Sequence, residues 1–149
     1  MIASQGKETT QGVEILLVED NLADVRMMKE ALAAGNTAHR LSVVNDGEEA
    51  ISFLRRAEKF ADAPRPDVVL LDLKLPKKDG HAVLREIKGN RDLQSIPVVV
   101  LTSSKAHADL AMSYKLNANA FVTKPFGLAE LVSALEVIDQ LIKPPRSPA

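Results

Sequence analysis

The chain contains no cysteine among its 149 residues. Disulfides, zinc–thiolate centres and cysteine nucleophiles are therefore excluded together, and a reducing cytoplasmic setting fits. Aromatic residues are also scarce. Phe53, Phe60, Tyr114, Phe121 and Phe126 are the whole set, too few for a base-stacking platform. No apolar run approaches the roughly 20 residues needed to cross a bilayer, and Met1 to Gly12 is polar with no apolar signal core, so the chain reads as soluble and unexported. Nineteen basic and twenty acidic side chains give a net charge of -1, and no long basic block is present. Direct binding to nucleic acid has no electrostatic support, and no membrane partner is indicated.

What the chain does have is an alternation of short β-rich apolar runs with longer stretches of helical period. The pattern predicts strands over Val13–Val18, Leu41–Val44, Val68–Leu71, Val98–Leu101 and Ala120–Val122. Between and after them it predicts helices over Leu22–Ala34, Gly47–Arg56, about Gly80–Gly89, Lys105–Leu116 and Leu128–Ile142, the last stopped by Pro144-Pro145. Leu22, Val25, Met28 and Leu32 are expected on the inner side of the first helix, and Leu131, Val132, Leu135, Ile138 and Ile142 on that of the last. Val68 to Leu71 is apolar at every position, as a strand covered on both faces must be. Strands alternating with helices imply an α/β fold with a parallel sheet, each crossover being right-handed and carried by a helix. The common five-strand solution is the flavodoxin-like order 2-1-3-4-5 with five helices on both faces, and its crevice lies at the carboxyl ends of the strands. One domain is expected over residues 13–142, flanked by a flexible segment 1–12 and a proline-rich tail 143–149. The link Ala57–Asp67 stands outside the pattern.

Strand ends are where the chemistry should lie. The first leads into Glu19-Asp20, the third into Asp72, the fourth into Thr102-Ser103 and the fifth toward Lys124-Pro125. Singly, each has a structural explanation: Asp20 would serve as a helix N-cap, Thr102 as a solvated strand end, Lys124 as a surface charge. Together, in register across four strands, they put three carboxylates, a hydroxyl and an ammonium in one cleft. Close carboxylates repel, and oxygen ligands without His or Cys select Mg²⁺ or Mn²⁺ over zinc. Such a site suits phosphoryl transfer, with Asp72 as nucleophile, Thr102 donating to a phosphoryl oxygen and Lys124 pairing its charge.

The stretches VEILLVEDN, VVLLDLKLPKKDG, VVVLTSS and AFVTKPF, in this order and spacing, resemble the receiver domain of two-component response regulators over Val13 to Ile142. By position the resemblance makes Glu19 and Asp20 the acidic metal pair and Asp72 the phosphoacceptor. It makes the backbone carbonyl of Lys74 a metal ligand, Thr102 the switch hydroxyl and Lys124 the phosphate-pairing lysine. Phe121 falls at the aromatic switch position, and the Lys124–Pro125 bond is cis in the family. Three positions depart from the commonest pattern. Lys74 is basic near the cleft, where many members are neutral. Asn117 replaces the glycine that usually ends helix four, and is the next-best residue for a left-handed turn. Phe121 lacks a tyrosine hydroxyl, so a switch there works by packing.

The long RRAEKFADAPRPD link and LPKKDG are similar to stand-alone regulators partnered with phytochrome-type histidine kinases. That resemblance implies a sensor histidine kinase as phosphoryl donor, a bacteriophytochrome among the candidates. It also implies signalling through protein contacts, a homodimer through the helix-four to helix-five face around Tyr114, Leu116 and Leu128, and no turnover of a metabolite. A shuttle or phosphate sink within a phosphorelay is the alternative. Three rivals fit less well, one of them a phosphorylation-independent interaction domain, against which the complete acidic set argues. An aspartyl-phosphate phosphatase of the haloacid dehalogenase type needs an acid where Lys74 stands. A flavin-binding module needs a phosphate cradle where Glu19-Asp20 stand. His39, His81 and His107 occur in separate elements with no metal-ligand spacing and are expected at solvated positions. Lys77-Lys78 is expected as a solvated turn at the cleft rim.

Overall fold

In the computed structural model the described residues are 12–35, 38–113, 116–124 and 127–142. Five parallel strands, β1 (Val13–Val18), β2 (His39–Val44), β3 (Val68–Asp72), β4 (Val98–Thr102) and β5 (Ala120–Thr123), form one sheet in the order β2-β1-β3-β4-β5. The helices are α1 (Leu22–Ala34), α2 (Gly47–Arg55), α3 (Gly80–Gly89), α4 (Lys105–Ala111) and α5 (Leu128–Ile142). The expected flavodoxin-like order is the one found.

Alternation along the strands splits the core between the two faces. Ile15 and Leu17 of β1, Val68 and Leu70 of β3, and Val99 and Leu101 of β4 meet Val25, Met28 and Ala31 of α1 and Leu131 and Leu135 of α5. Leu16, Val18, Val69, Leu71, Val98 and Val100 face the other way, onto Ala50, Ile51 and Leu54 of α2 and Val83, Leu84 and Ile87 of α3. Every residue of β3 and β4 is buried. Each large apolar side chain so buried contributes about 1.5–3 kcal/mol, which makes these central strands the rigid platform of the domain.

Several boundaries differ from the sequence reading. Leu22, expected inward, is 74% exposed, because the buried stripe of α1 starts a turn later, at Val25. Helix α4 ends at Ala111 instead of Leu116. Beyond it Leu116 and Ala118 are buried, and the Ala118 amide donates to the Ala111 carbonyl at 2.9 Å. Asn117 is left-handed, at φ 57°, as its residue type suggested. Arg56 is not helical but a left-handed cap, at φ 56° and ψ 42°. The 57–67 link holds one 3₁₀ turn, Glu58–Phe60, whose Phe60 ring packs 5.3 Å from Phe53. Beyond it Asp67 closes onto β1, its amide donating to the Glu14 carbonyl at 2.7 Å and its carboxylate accepting from the Glu14 amide at 2.9 Å. Tyr114, the Lys124–Pro125 bond, the 143–149 tail and the side chains of Ile138 and Ile142 lie outside what is described.

Candidate functional site

Strand register brings the polar ends level. Val18 pairs with Leu71 and Asp72 with Leu101, so Glu19 and Asp72 leave the sheet at one edge; Thr102 pairs with Thr123, one residue before Lys124. The result is a cleft of about 530 Å³ whose lining includes Glu19, Asp20, Asp72, Lys74, Thr102 and Lys124. All these residues singled out from the sequence converge there. Phe121 does not, being 39% exposed on β5.

The carboxylate at the base of the cleft is Glu19, with no exposed surface. Its Oε1 accepts from Lys124 Nζ at 2.9 Å and its Oε2 from the Asn21 amide at 3.2 Å. Asn45 Nδ2 donates to the Glu19 carbonyl at 3.2 Å, anchoring the strand end. Burial pushes the Glu19 carboxyl up to about 7; the Lys124 ammonium opposes that rise and the Asp72 charge adds to it. For Lys124 itself, burial alone would favour the neutral amine. Its hydrogen bonds to Asp24 and Glu19, with the charges of Glu19 and Asp72, outweigh burial and raise its pKa, so the ammonium stays charged. Each charge opposes neutralisation of the other, but burial wins at Glu19 and the partners win at Lys124, so of the two groups Lys124 is the more firmly charged.

Asp72, 5% exposed, is oriented by the chain that follows it: the Lys74 amide donates to Oδ1 at 3.0 Å. Its Oδ2 faces Lys124 Nζ at 3.5 Å. Gly80 explains why α3 can begin so close behind. A Cβ there would stand 2.5 Å from the Leu73 Cα and 2.6 Å from the Asp72 carbonyl oxygen. Thr102 Oγ1 accepts from the Ser104 amide at 3.1 Å, and the Lys124 amide donates to the Thr102 carbonyl at 2.8 Å. Helix α1 is capped by Asn21, whose Oδ1 accepts from the Asp24 amide at 3.0 Å. Asp20 is thereby released from the capping role that its residue type allowed.

One oxygen from each of Glu19, Asp20 and Asp72 lies within 4.8 Å of the others. A hard divalent ion at about 2.0–2.1 Å from its ligands holds oxygens roughly 3–4 Å apart, so small side-chain rotations bring this set to coordination. The donor set fits such an ion. The sequence reading missed Asp24, which sits in the first turn of α1 and meets Lys124 Nζ at 2.8 Å. The acid three residues after the Asn21 cap was visible; its pairing across the sheet was not.

An α/β sheet that gathers three acids, a hydroxyl and a lysine at its carboxyl edge defines a phosphoryl-accepting signalling domain. The chain belongs to the response regulator receiver domain family, whose model matches residues 15–136. The response regulator Rcp1 of Synechocystis sp. is 46% identical over 125 residues, spanning 84% of this chain and 85% of that protein. The phosphorylated cyanobacterial phytochrome response regulator RcpA superposes with a TM-score of 0.78 at 44% identity, covering 89% of this chain and 95% of the other. The Mn²⁺-bound form of Rcp1 superposes at 0.77 with 43% identity, covering 92% and 99%. Receiver domains are signalling proteins that bind a divalent metal, and the acidic trio agrees with that property. Among the described residues no helix is long and apolar enough to cross a membrane.

Proposed function

We propose that Asp72 accepts a phosphoryl group from the phosphohistidine of a sensor kinase and that the modified domain signals through protein contacts. The observation that carries this is the position of the Asp72 carboxylate, with Oδ1 fixed by the Lys74 amide at 3.0 Å and Oδ2 facing Lys124 at 3.5 Å. An Asp72 oxygen attacks phosphorus as the P–N bond of the donor breaks; the imidazole leaves with the electron pair and regains neutrality by taking a proton. Lys124 pairs with the phosphoryl charge, and the Thr102 hydroxyl turns from the Ser104 amide to donate to a phosphoryl oxygen. Glu19, Asp20, Asp72 and the Lys74 carbonyl would hold Mg²⁺, or Mn²⁺ in its place. The ion supplies charge neutralisation and orientation of the transferring oxygens. Hydrolysis of the acyl phosphate returns the resting state, so the domain is a timed switch and not a turnover enzyme.

The likeness to RcpA, a phytochrome response regulator, supports a phytochrome-type histidine kinase as donor. Leu128, expected on the α4–α5 face, is exposed together with Leu110, Met112 and Phe121 and supports a homodimer there; Leu116, also expected on that face, is instead buried in the core. Phe121 turns inward when Thr102 moves. Incubation with acetyl phosphate and Mg²⁺ adds one phosphoryl group by mass spectrometry, and Asp72→Asn abolishes it. Labelling that persists in Asp72→Asn places the acceptor elsewhere and ends the proposal.

A further inference from the structure

Two of the three histidines, distant in sequence, meet at the mouth of the cleft. His81 lies in the first turn of α3 and His107 in the first turn of α4; their ring centres are 5.2 Å apart and the planes are tilted by 51°. His81 is mostly enclosed, its side chain 12% exposed, and Asp79 Oδ2 stands 3.5 Å from its Nδ1. That carboxylate favours the proton on Nδ1 and leaves the lone pair on Nε2. Nε2 is buried and has no hydrogen-bond partner among the described residues. An unpaired buried acceptor is costly, so it calls for an explanation. His107 is exposed, and both it and Asp79 line the cleft, so the pair is approached from the His107 side.

We propose that His81 and His107, with Asp79 supporting the first ring, form a second cation site at the edge of the cleft, for a borderline divalent ion such as Zn²⁺. Distance favours it. An ion about 2.0–2.1 Å from a ring nitrogen stands about 3.2 Å from that ring's centre, and at a tetrahedral angle two such rings are about 5.2 Å apart. The observed separation matches. Carboxylate, imidazole and metal in line are the usual arrangement around a histidine ligand, and the remaining coordination positions go to water. Imidazole nitrogen selects Zn²⁺, Ni²⁺ or Cu²⁺, whereas the all-oxygen trio of Glu19, Asp20 and Asp72 selects Mg²⁺ or Mn²⁺. The two sites therefore sort ions by chemistry, and an ion between the histidines ties α4 to α3.

The test is a Zn²⁺ titration of the whole chain saturated with Mg²⁺, followed by calorimetry and by ¹⁵N NMR of the imidazoles. One Zn²⁺ is expected to bind, with the Nε2 resonance of His81 shifting and amide exchange slowing across Lys105–Ala111. His107→Gln, at an exposed position, abolishes that binding. Asp79→Asn weakens it by about 10–100-fold, the usual effect of losing such a supporting carboxylate. Asp72→Asn leaves it unchanged. Zn²⁺ binding that survives His107→Gln, that is lost in Asp72→Asn, or that leaves the His81 resonance and the α4 amides unmoved overturns the proposal. So does the absence of binding in the unmodified chain.

Discussion

Lys124 holds a buried carboxylate in place, and replacing it by Met, which keeps most of the stem but no charge, should expose what that carboxylate costs. Glu19 has an unfolded-state value of 4.5 and is pushed up to about 7 in the folded protein. Between those values the native state binds more protons than the unfolded state. Glu19 therefore makes stability fall as pH rises from about 4.5 to about 7, and the fall levels off above 7, where both states are ionised. Without the ammonium 2.9 Å away, the folded value climbs further and the decline continues to higher pH. At pH 5.5 Glu19 is already neutral in both proteins, so its share of the loss is near zero. At pH 8, one unit above the value in the unsubstituted protein, the extra loss reaches about 1.4 kcal/mol. The measurement is urea unfolding followed by circular dichroism, with EDTA present, of both proteins at both pH values. Titrating groups away from Lys124 are shared and cancel in the difference; Asp24 and Asp72, which also face its ammonium, do not. A destabilisation equal at pH 5.5 and pH 8 would refute the view that Lys124 acts by neutralising Glu19.

Glu19→Gln should remove the same buried charge directly: the metal-free protein then loses no stability at pH 8, while Mn²⁺ affinity, read by calorimetry, drops at least about tenfold. Gly80→Ala forces a methyl group against the Leu73 and Asp72 backbone and should cost about 1–3 kcal/mol in urea unfolding, with acetyl-phosphate labelling of Asp72 slowed as well. Leu70→Ala, at a fully buried strand position, should cost about 2–5 kcal/mol, whereas Leu22→Ala, at a position 74% exposed, should stay within about 0.5 kcal/mol; similar losses at the two sites would contradict a core that holds Leu70 and leaves Leu22 in solvent.

The fold was legible because its signals are local and repeat. The all-apolar runs Val68–Leu71 and Val98–Leu101 require cover on both faces, and helical stripes such as Val83, Leu84 and Ile87 supply it. Site residues were legible for a related reason: in a parallel sheet the functional edge is where strands end, so the residue after each apolar run is a candidate whatever the loops do. Element ends were less clear. Nothing between Lys105 and Leu116 forbids a continuous helix, and what stops it at Ala111 is the return to β5, with Leu116 packed into the core and Ala118 bonded back to Ala111.

Sequence by itself therefore determined the order of strands and helices, and that Glu19, Asp20, Asp72, Thr102 and Lys124 share one edge, since both follow from periodicity along the chain. Only the tertiary structure decided which residues face one another across that edge. It set Asp24 against Lys124, drew His81 to His107, left Leu22 in solvent and gave the capping of α1 to Asn21 instead of Asp20. Those pairings depend on how helices from distant parts of the chain lie on the sheet, and no spacing within a single segment encodes that.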